Sequence, residues 1–387
     1  MIILKKTVLK ILSYVLVAVI ASGTTVACFL FAQRDRSTKL REVENLLQQY
    51  FIGDVDTNKL EDAAASAMVS ALGDRWSYYM TAEQYKNYQD TMTNSYVGIG
   101  ITIQVREDGT GFEIVSVIEG SPAKEKGLLA GDLLIAVDGT DVTKLDANAL
   151  TPLVRGEENT NVKLTVLRDG EKKEFTITRK RFQSPVATHK MLEGQIGLIT
   201  IENFDQRCAQ ETIAAIEALT KQGAKALIFD VRNNPGGYKD EMIKVLDYLL
   251  PEGPLFRSVD YRGKEVVEYS DARHLDIPMA VLVNLSSYSA AEFFAAALEE
   301  YDAAITVGEK TFGKGYFQTT FPLRDGSAVN LSIGKYTTPK GVSLADVGLT
   351  PKVTVPVDEA TAAKIYAGTL APEEDPQIIA AINALKS

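Results

Sequence analysis

The chain has 387 residues, enough for two or three folded units, and 45% hydrophobic with 24% charged residues is a globular rather than a disordered make-up. A net charge of −10 argues against a broad nucleic-acid surface, so no nucleic-acid partner is expected. The two cysteines, Cys28 and Cys208, and the two histidines, His189 and His274, are far apart, with no disulfide framework, CxxC pair or zinc spacing, so no metal or cofactor is expected.

Residues 11–33 carry no charge and are preceded by Lys5, Lys6 and Lys10 and followed by Arg34, Asp35 and Arg36. That length suits a membrane-crossing helix. Residues 1–36 are therefore read as a membrane anchor, while the small residues at 21–27 keep a cleaved signal peptide open. Residues 37–95 form a helical region. Leu40, Val43, Leu46, Leu47 and Tyr50 recur at helical spacing, and a second helix over 58–72 has Thr57 as its cap and Gly73 as its stop. The following turn, Asp74-Arg75-Trp76-Ser77-Tyr78-Tyr79-Met80, reads as aromatic packing with no chemistry of its own.

Residues 96–182 change character. Strand-like runs at 98–105, 112–118, 132–137, 162–167 and 173–179 alternate with Gly and Asp turns, interrupted by a helix at 147–154 and a shorter one at 122–126. This is the pattern of a compact β-barrel whose open edge can take an extended peptide as one more strand. Residues 183–357 turn to strand and helix alternation: strands at 196–201, 226–231 and 279–283, each followed by a helix, predict a layered α/β core with function at the strand ends. Asp205 is the expected cap of the first of these helices. Residues 358–387 form a C-terminal extension with a helix at 376–385, used for packing or association.

Three segments of the core carry candidate chemistry. In Ser287-Tyr288-Ser289-Ala290-Ala291-Glu292 a buried strand enters a helix through small hydroxyl residues. The free N–H groups and dipole of the first helical turn favour a developing negative charge, so Ser289 is placed to attack a carbonyl, although a serine there can equally be a plain cap. Lys314, between Gly313 and Gly315, can act as a general base if burial strips its proton, or can be a solvated hairpin lysine. Gln318, four residues on, would share a strand face with Lys314 and could orient its amine. Asp230-Val231-Arg232-Asn233-Asn234-Pro235-Gly236-Gly237 offers backbone N–H groups that, with Ala290 or Ser289, could form an oxyanion hole, or it is a plain turn.

Together these segments resemble the C-terminal processing peptidase, or tail-specific protease, family of S41-type serine peptidases. The resemblance runs from about residue 40 to 356. It includes the aromatic turn, the glycines of Gly98-Ile99-Gly100-Ile101, Gly120-Ser121-Pro122-Ala123, Gly127 and Gly131-Asp132, the three core segments, and Tyr336-Thr337-Thr338-Pro339. It implies an α+β or α/β multidomain chain in which a PDZ-like β-barrel precedes a layered ClpP/crotonase-like protease core. It also implies Ser289 as nucleophile, Lys314 as base, Gln318 as its orienter, and N–H groups of Gly236, Gly237 and Ala290 as oxyanion donors. The Gly98, Ile99, Gly100 and Ile101 loop would receive a substrate's terminal carboxylate, and Arg168 matches an arginine that in some members couples the PDZ domain to the active site. Tyr288, Ala291, Arg75 and the histidine-free stretch 343–348 depart from the family pattern without touching the dyad.

The function so implied is that of a serine endopeptidase cutting exported or membrane proteins with accessible C-terminal tails. With the anchor, it is expected at a bacterial cell membrane as a single-pass protein with the catalytic part outside the cytoplasm, or secreted if the segment is cleaved. Association of two copies is left open. The alternative is a PDZ adaptor or scaffold at the membrane that keeps the core without its chemistry.

Overall fold

The computed structural model describes residues 38–106 and 111–386, together with Val17, Gly23 and Thr24. Residues 1–73 and 74–387 form two compact units. The first holds the helices Thr38–Tyr50 and Thr57–Ser70, close to the spans that the apolar spacing predicts. The cap moves by one residue: Asp56, not Thr57, accepts the Lys59 N–H at 3.2 Å.

The anchor expectation is corrected. Among the described residues no helix is long and apolar enough to cross a membrane. A 14-residue helix, the length of Thr57–Ser70, spans about 21 Å at 1.5 Å per residue, against roughly 30 Å of hydrocarbon. Nearly all of residues 11–33 lie outside the described residues. Membrane attachment, the transmembrane description and the single-pass membrane location are withdrawn with it.

The second unit is α+β throughout. Its β-rich insertion pairs the strands Ile101–Val105, Phe112–Val117, Leu133–Val137, Asn161–Arg168 and Glu171–Thr178 in that order, with Thr140–Asp141 beside the third. Val162, Leu164 and Val166 alternate into one buried cluster with Leu150 of the helix Ala147–Val154 and with Ile99. The chain enters and leaves this insertion side by side, because Ser95–Gly98 pairs antiparallel with Lys180–Gln183. That two-stranded ribbon is tied to the helix Ala82–Met92 by Arg181, which bonds Asp90 at 2.7 Å.

The core is built on a six-stranded sheet: Ala187–Leu192, Ile196–Ile201, Ala226–Asp230, Met279–Val283, Ala304–Gly308 and Val353–Thr354. All neighbours are parallel except the first pair. Its central strands are unbroken apolar runs because both faces are covered. Leu227, Phe229, Val281 and Val283 pack into one cluster, whereas Ile228, Ala280 and Leu282 pack into another with Ile378 and Ala381 of the C-terminal helix Pro376–Ala384. The C-terminal helix is thus part of the core's second face.

On the first face the helix Ala290–Glu300 lies between this sheet and an antiparallel one. Its residues 290–298 are all buried, which the small, apolar sequence AAEFFAAAL permits, and Glu292 is the single charge among them. The antiparallel sheet orders Tyr78–Met80, Ala328–Thr337, Gly253–Asp260 and Glu265–Ser270, with Tyr316–Pro322 also paired to Ala328–Thr337. The aromatic turn of the sequence is therefore an edge strand of the core. One further boundary shifts: the helix Cys208–Lys221 begins three residues after Asp205, whose carboxylate instead accepts the Arg207 N–H at 2.6 Å.

Candidate active site

The three chemistry-bearing segments follow the C-terminal ends of three neighbouring parallel strands. The glycine loop follows Ala226–Asp230, Ser289 follows Met279–Val283, and Lys314 follows Ala304–Gly308. This is the edge where open α/β sheets place ligand sites. A cleft of about 710 Å³ lies there, and Trp76, Gly237, Ser289, Lys314, Gln318 and Tyr336 are among the residues that line it.

Ser289 stands immediately before the helix Ala290–Glu300 with φ 59° and ψ −125°. Such backbone costs a serine about 1–3 kcal/mol and persists only where neighbours hold it. Two do. Its N–H donates to Glu292 Oε2 at 3.0 Å, and the glycine loop is pressed against it so closely that a Cβ on Gly236 would lie 2.8 Å from Ser289 Cβ. The hydroxyl shares a 2.9 Å hydrogen bond with the Tyr336 hydroxyl. Tyr336 is buried, which pushes its phenol well above the ordinary value and keeps it neutral.

The glycine loop is stitched to the turn that carries Ser289. Ser287 Oγ donates to the Val231 carbonyl at 2.7 Å, the Tyr288 N–H to the Asn234 carbonyl at 3.1 Å, the Asn233 backbone N–H to Asn284 Oδ1 at 2.9 Å, and Asn284 Nδ2 to Asn233 Oδ1 at 2.9 Å. The Gly236 N–H is taken by Asn234 Oδ1 at 2.8 Å. No hydrogen bond within the described residues uses the N–H of Gly237 or Ala290. Gly237 has φ 145°, and a Cβ there would run into the Phe204 backbone.

Lys314 Nζ lies 4.5 Å from the centroid of the Trp76 ring and 6.0 Å from that of Tyr288, and none of the described residues accepts a hydrogen bond from it. Burial pushes its amine down to about 8, against the opposing pull of the Glu292 and Asp74 carboxylates. Gln318 lines the same cleft, but its amide donates to the Tyr316 carbonyl (3.1 Å) and to Ser332 Oγ (3.2 Å). Lys314 precedes the strand Tyr316–Pro322 and lies in a stretch without strand pairing, so the period-two alternation expected to set it on the face of Gln318 does not reach it.

Glu292, Tyr336 and Trp76 sit in motifs visible in the sequence but carry roles the sequence reading did not give them. Glu292 is fully buried and accepts from the Ser289, Gly313 and Lys314 N–H groups and from Thr311 Oγ1. Burial raises its carboxyl above the ordinary value, and those four donors oppose the shift. A glutamate three residues into a helix reads as an ordinary capping partner, which hid its second set of donors.

In the insertion, Ile99 and Gly100 lie between the ribbon strand Ser95–Gly98 and the edge strand Ile101–Val105, and their N–H groups have no hydrogen bond within the described residues. Gly100 has φ 80°, and a Cβ on it would overlap Ser121. Arg168 grips Asp132 through two bonds of 2.5 and 2.6 Å and donates to the Gly127 carbonyl at 2.9 Å, so its described contacts stay inside the insertion. Burial alone would raise the Asp132 carboxyl, but the Arg168 bonds outweigh it and hold it below the usual range. Among the described residues no cluster of His, Cys, Asp and Glu could hold a metal ion.

Comparison with known proteins agrees with this layout. Residues 195–355 match the model of peptidase family S41 and residues 97–178 that of the PDZ domain. The chain is 36% identical over 363 residues to the carboxy-terminal processing protease CtpA of Bacillus subtilis (strain 168), covering 90% of this chain and 77% of that one. It is 34% identical over 324 residues to a probable CtpA-like serine protease of Staphylococcus aureus (strain COL), covering 82% of this chain and 64% of the relative's length. Among solved structures, the photosystem II D1 C-terminal processing protease superposes with a TM-score of 0.50 at 25% identity, covering 84% of this chain and 88% of that one. A putative S41 protease from Bacteroides fragilis shares the fold with a TM-score of 0.61 at 16% identity, over 89% of this chain and 96% of that one.

Proposed function

The chain belongs to peptidase family S41, as a CtpA-like serine endopeptidase with a PDZ domain, and from that premise we propose that Ser289 is its nucleophile, Lys314 its general base and Gln318 the residue that orients the base. The observation that carries this reading is the Lys314 amine: buried in the cleft that Ser289 lines, without an acceptor, and brought down to about 8. A lysine is a base only when neutral, and an amine with that value is half neutral near pH 8, with a substantial neutral fraction already present near neutrality.

In this reading a substrate strand enters the cleft and the neutral Lys314 amine takes the Ser289 proton. The Ser289 oxygen then bonds to the scissile carbonyl carbon, and the carbonyl oxygen gains a negative charge. The unused N–H groups of Gly237 and Ala290 receive that charge, aided by the positive end of the helix Ala290–Glu300, while Gly236 shapes the loop. Collapse of the intermediate breaks the C–N bond as Lys314 hands its proton to the leaving amine. The neutral Lys314 next deprotonates a water that hydrolyses the ester and restores Ser289.

The PDZ-like unit, placed at 96–182, is read as a barrel with an open edge that takes a substrate's C-terminal tail as an added strand beside Ile101–Val105. The free N–H groups of Ile99 and Gly100, within the loop Gly98 to Ile101, suit the terminal carboxylate. Arg168, by fixing the Gly127–Asp132 loop, is the residue through which tail binding would reach the core. The core at 183–357 is read as ClpP/crotonase-like on the strength of its parallel sheet and crossing helix, flanked by the helical region 37–95 and the extension 358–387. Purified S289A and K314A proteins should each lose peptide cleavage, and only Ser289-bearing protein should be labelled by a fluorophosphonate. Near-normal cleavage by either variant would sink the assignment, and an unlabelled wild type would favour an adaptor.

A further inference from the structure

The three residues assigned to the chemistry are each engaged elsewhere. Ser289 is hydrogen-bonded to Tyr336, Gln318 to Tyr316 and Ser332, and the Lys314 ammonium lies over the indole of Trp76. The backbone that carries the indole is fixed: the Trp76 backbone N–H donates to Asp74 Oδ1 at 3.1 Å and its carbonyl accepts from Asn330 Nδ2 at 3.0 Å. The ring itself meets Phe312 edge-on at 5.6 Å. Arg75 lies 4.8 Å from the same ring and is tied to Asp346 at 3.2 Å.

An aromatic face attracts an ammonium through its quadrupole and has no comparable pull on a neutral amine. The contact therefore belongs to the protonated form of Lys314 alone. We propose that Trp76 is a positioning residue that holds the Lys314 ammonium on its indole face, so that loss of the proton also releases the side chain towards Ser289. The inference rests on the reading of Lys314 as the base, and it adds a residue from the aromatic turn to the machinery that sets when the base is in place.

Lys314 is the group around this ring whose titration falls near pH 8. The Arg75 guanidinium sits beside the ring, and Asp74 is held below the usual carboxylate range, burial opposing but its hydrogen bonds to Ser77, Ser332 and Trp76 prevailing. The Glu292 carboxyl is raised by burial, its four hydrogen-bond donors opposing the shift, and Asp346 is paired with Arg75. The phenols of Tyr78 and Tyr288 are pushed up by burial, away from neutrality. Tyr88, Asp205 and Lys239 also line the cleft, Lys239 being paired with Glu268 and Asp240. Neither histidine lines it.

Trp76 is the one tryptophan in the chain, so its emission reports on this contact directly. The test uses full-length S289A protein, which keeps the base and cannot turn over, titrated from pH 6 to 10. Its indole emission should change in one step with a midpoint near 8. S289A/K314M should show no step, and S289A/K314R, charged throughout, should hold the low-pH emission across the range. In otherwise wild-type enzyme, W76L should move the acid limb of the kcat profile to lower pH, because the protonated lysine loses its aromatic partner while the site stays apolar. A role in packing alone would leave that midpoint in place. Flat emission in S289A, a step that persists in S289A/K314M, or an unmoved midpoint in W76L would overturn the proposal. These outcomes are separable from failure of the base assignment, which would appear as retained cleavage by K314M.

Discussion

A single carboxylate oxygen, Glu292 Oε2, accepts the backbone N–H of Ser289 at 3.0 Å and that of Lys314 at 2.9 Å. The other oxygen holds Thr311 Oγ1 and the Gly313 N–H. The Ser289 turn and the Lys314 loop, which come from different strand ends, are thus registered to one buried carboxyl group. Removing it leaves three N–H groups and a hydroxyl without their acceptor.

Glu292→Ala is expected to lower kcat by about 100-fold and stability by about 3 kcal/mol, since several charge-assisted bonds in a buried site are lost at once. Glu292→Gln keeps the shape but loses the charge and should be the milder of the two. Steady-state kinetics with active-site titration, alongside urea unfolding, check this. An unchanged kcat in folded E292A would remove Glu292 from the geometry of the site.

The pH dependence has a definite sign. The base proposed at Lys314 would act only when neutral, so kcat should rise from pH 6 and level off above an apparent midpoint near 8, rather than near the ordinary lysine value of 10.5. Ser289 brings no titration in that range, and Tyr336, pushed up by burial, stays neutral through it. A profile flat from pH 6 to 10 with chemistry rate-limiting would contradict the assignment.

How much of this was legible in the sequence depended on the range of each interaction. The helix Ala147–Val154 and the strand Met279–Val283 were read to the residue, because local periodicity and turn residues specify them. The antiparallel sheet that carries Gln318 and Tyr336 was not. Its strand Glu265–Ser270 alternates weakly, and its long strand Ala328–Thr337 finds partners at residues 78–80 and 257–260, which no local pattern announces. Glu292 and Trp76 were hidden for the same reason: each looks like a local feature, a cap and a turn, until distant residues fold against it. Nor does any local pattern announce that the strand carrying Gln318 begins at Tyr316, two residues after Lys314.

The oxyanion role proposed for the glycine loop gives a position-specific prediction. Gly237→Ala should lower kcat by about 100-fold or more with little change in KM, because its side chain would strike the Phe204 backbone and swing the donor N–H away from the Ser289 oxygen. Asn234→Ala should have a smaller effect, since it frees the Gly236 N–H and loosens the loop without obstructing it. Equal kcat values for wild type and G237A would assign the donor role to another group.

The C-terminal extension bears on the same loop. Arg232, which opens the glycine loop, is buried and bonded to Asp230 through two guanidinium nitrogens, and it reaches Asp375 at 2.8 Å and Gln377 at 2.9 Å. Asp375 caps the helix Pro376–Ala384, whose Ile378 and Ala381 close the second face of the sheet. Losing one partner of a buried ion pair leaves the remaining charge poorly compensated, though Asp230 still neutralises Arg232 here. Asp375→Ala should therefore cost about 3 kcal/mol in urea unfolding and slow fluorophosphonate labelling of Ser289, whereas Gln377→Ala, which removes a neutral acceptor, should cost about 1 kcal/mol. If D375A instead labels at the wild-type rate while unfolding at the lower urea concentration, the extension stabilises the sheet without setting the loop. If both quantities match wild type, the ion pair carries neither role.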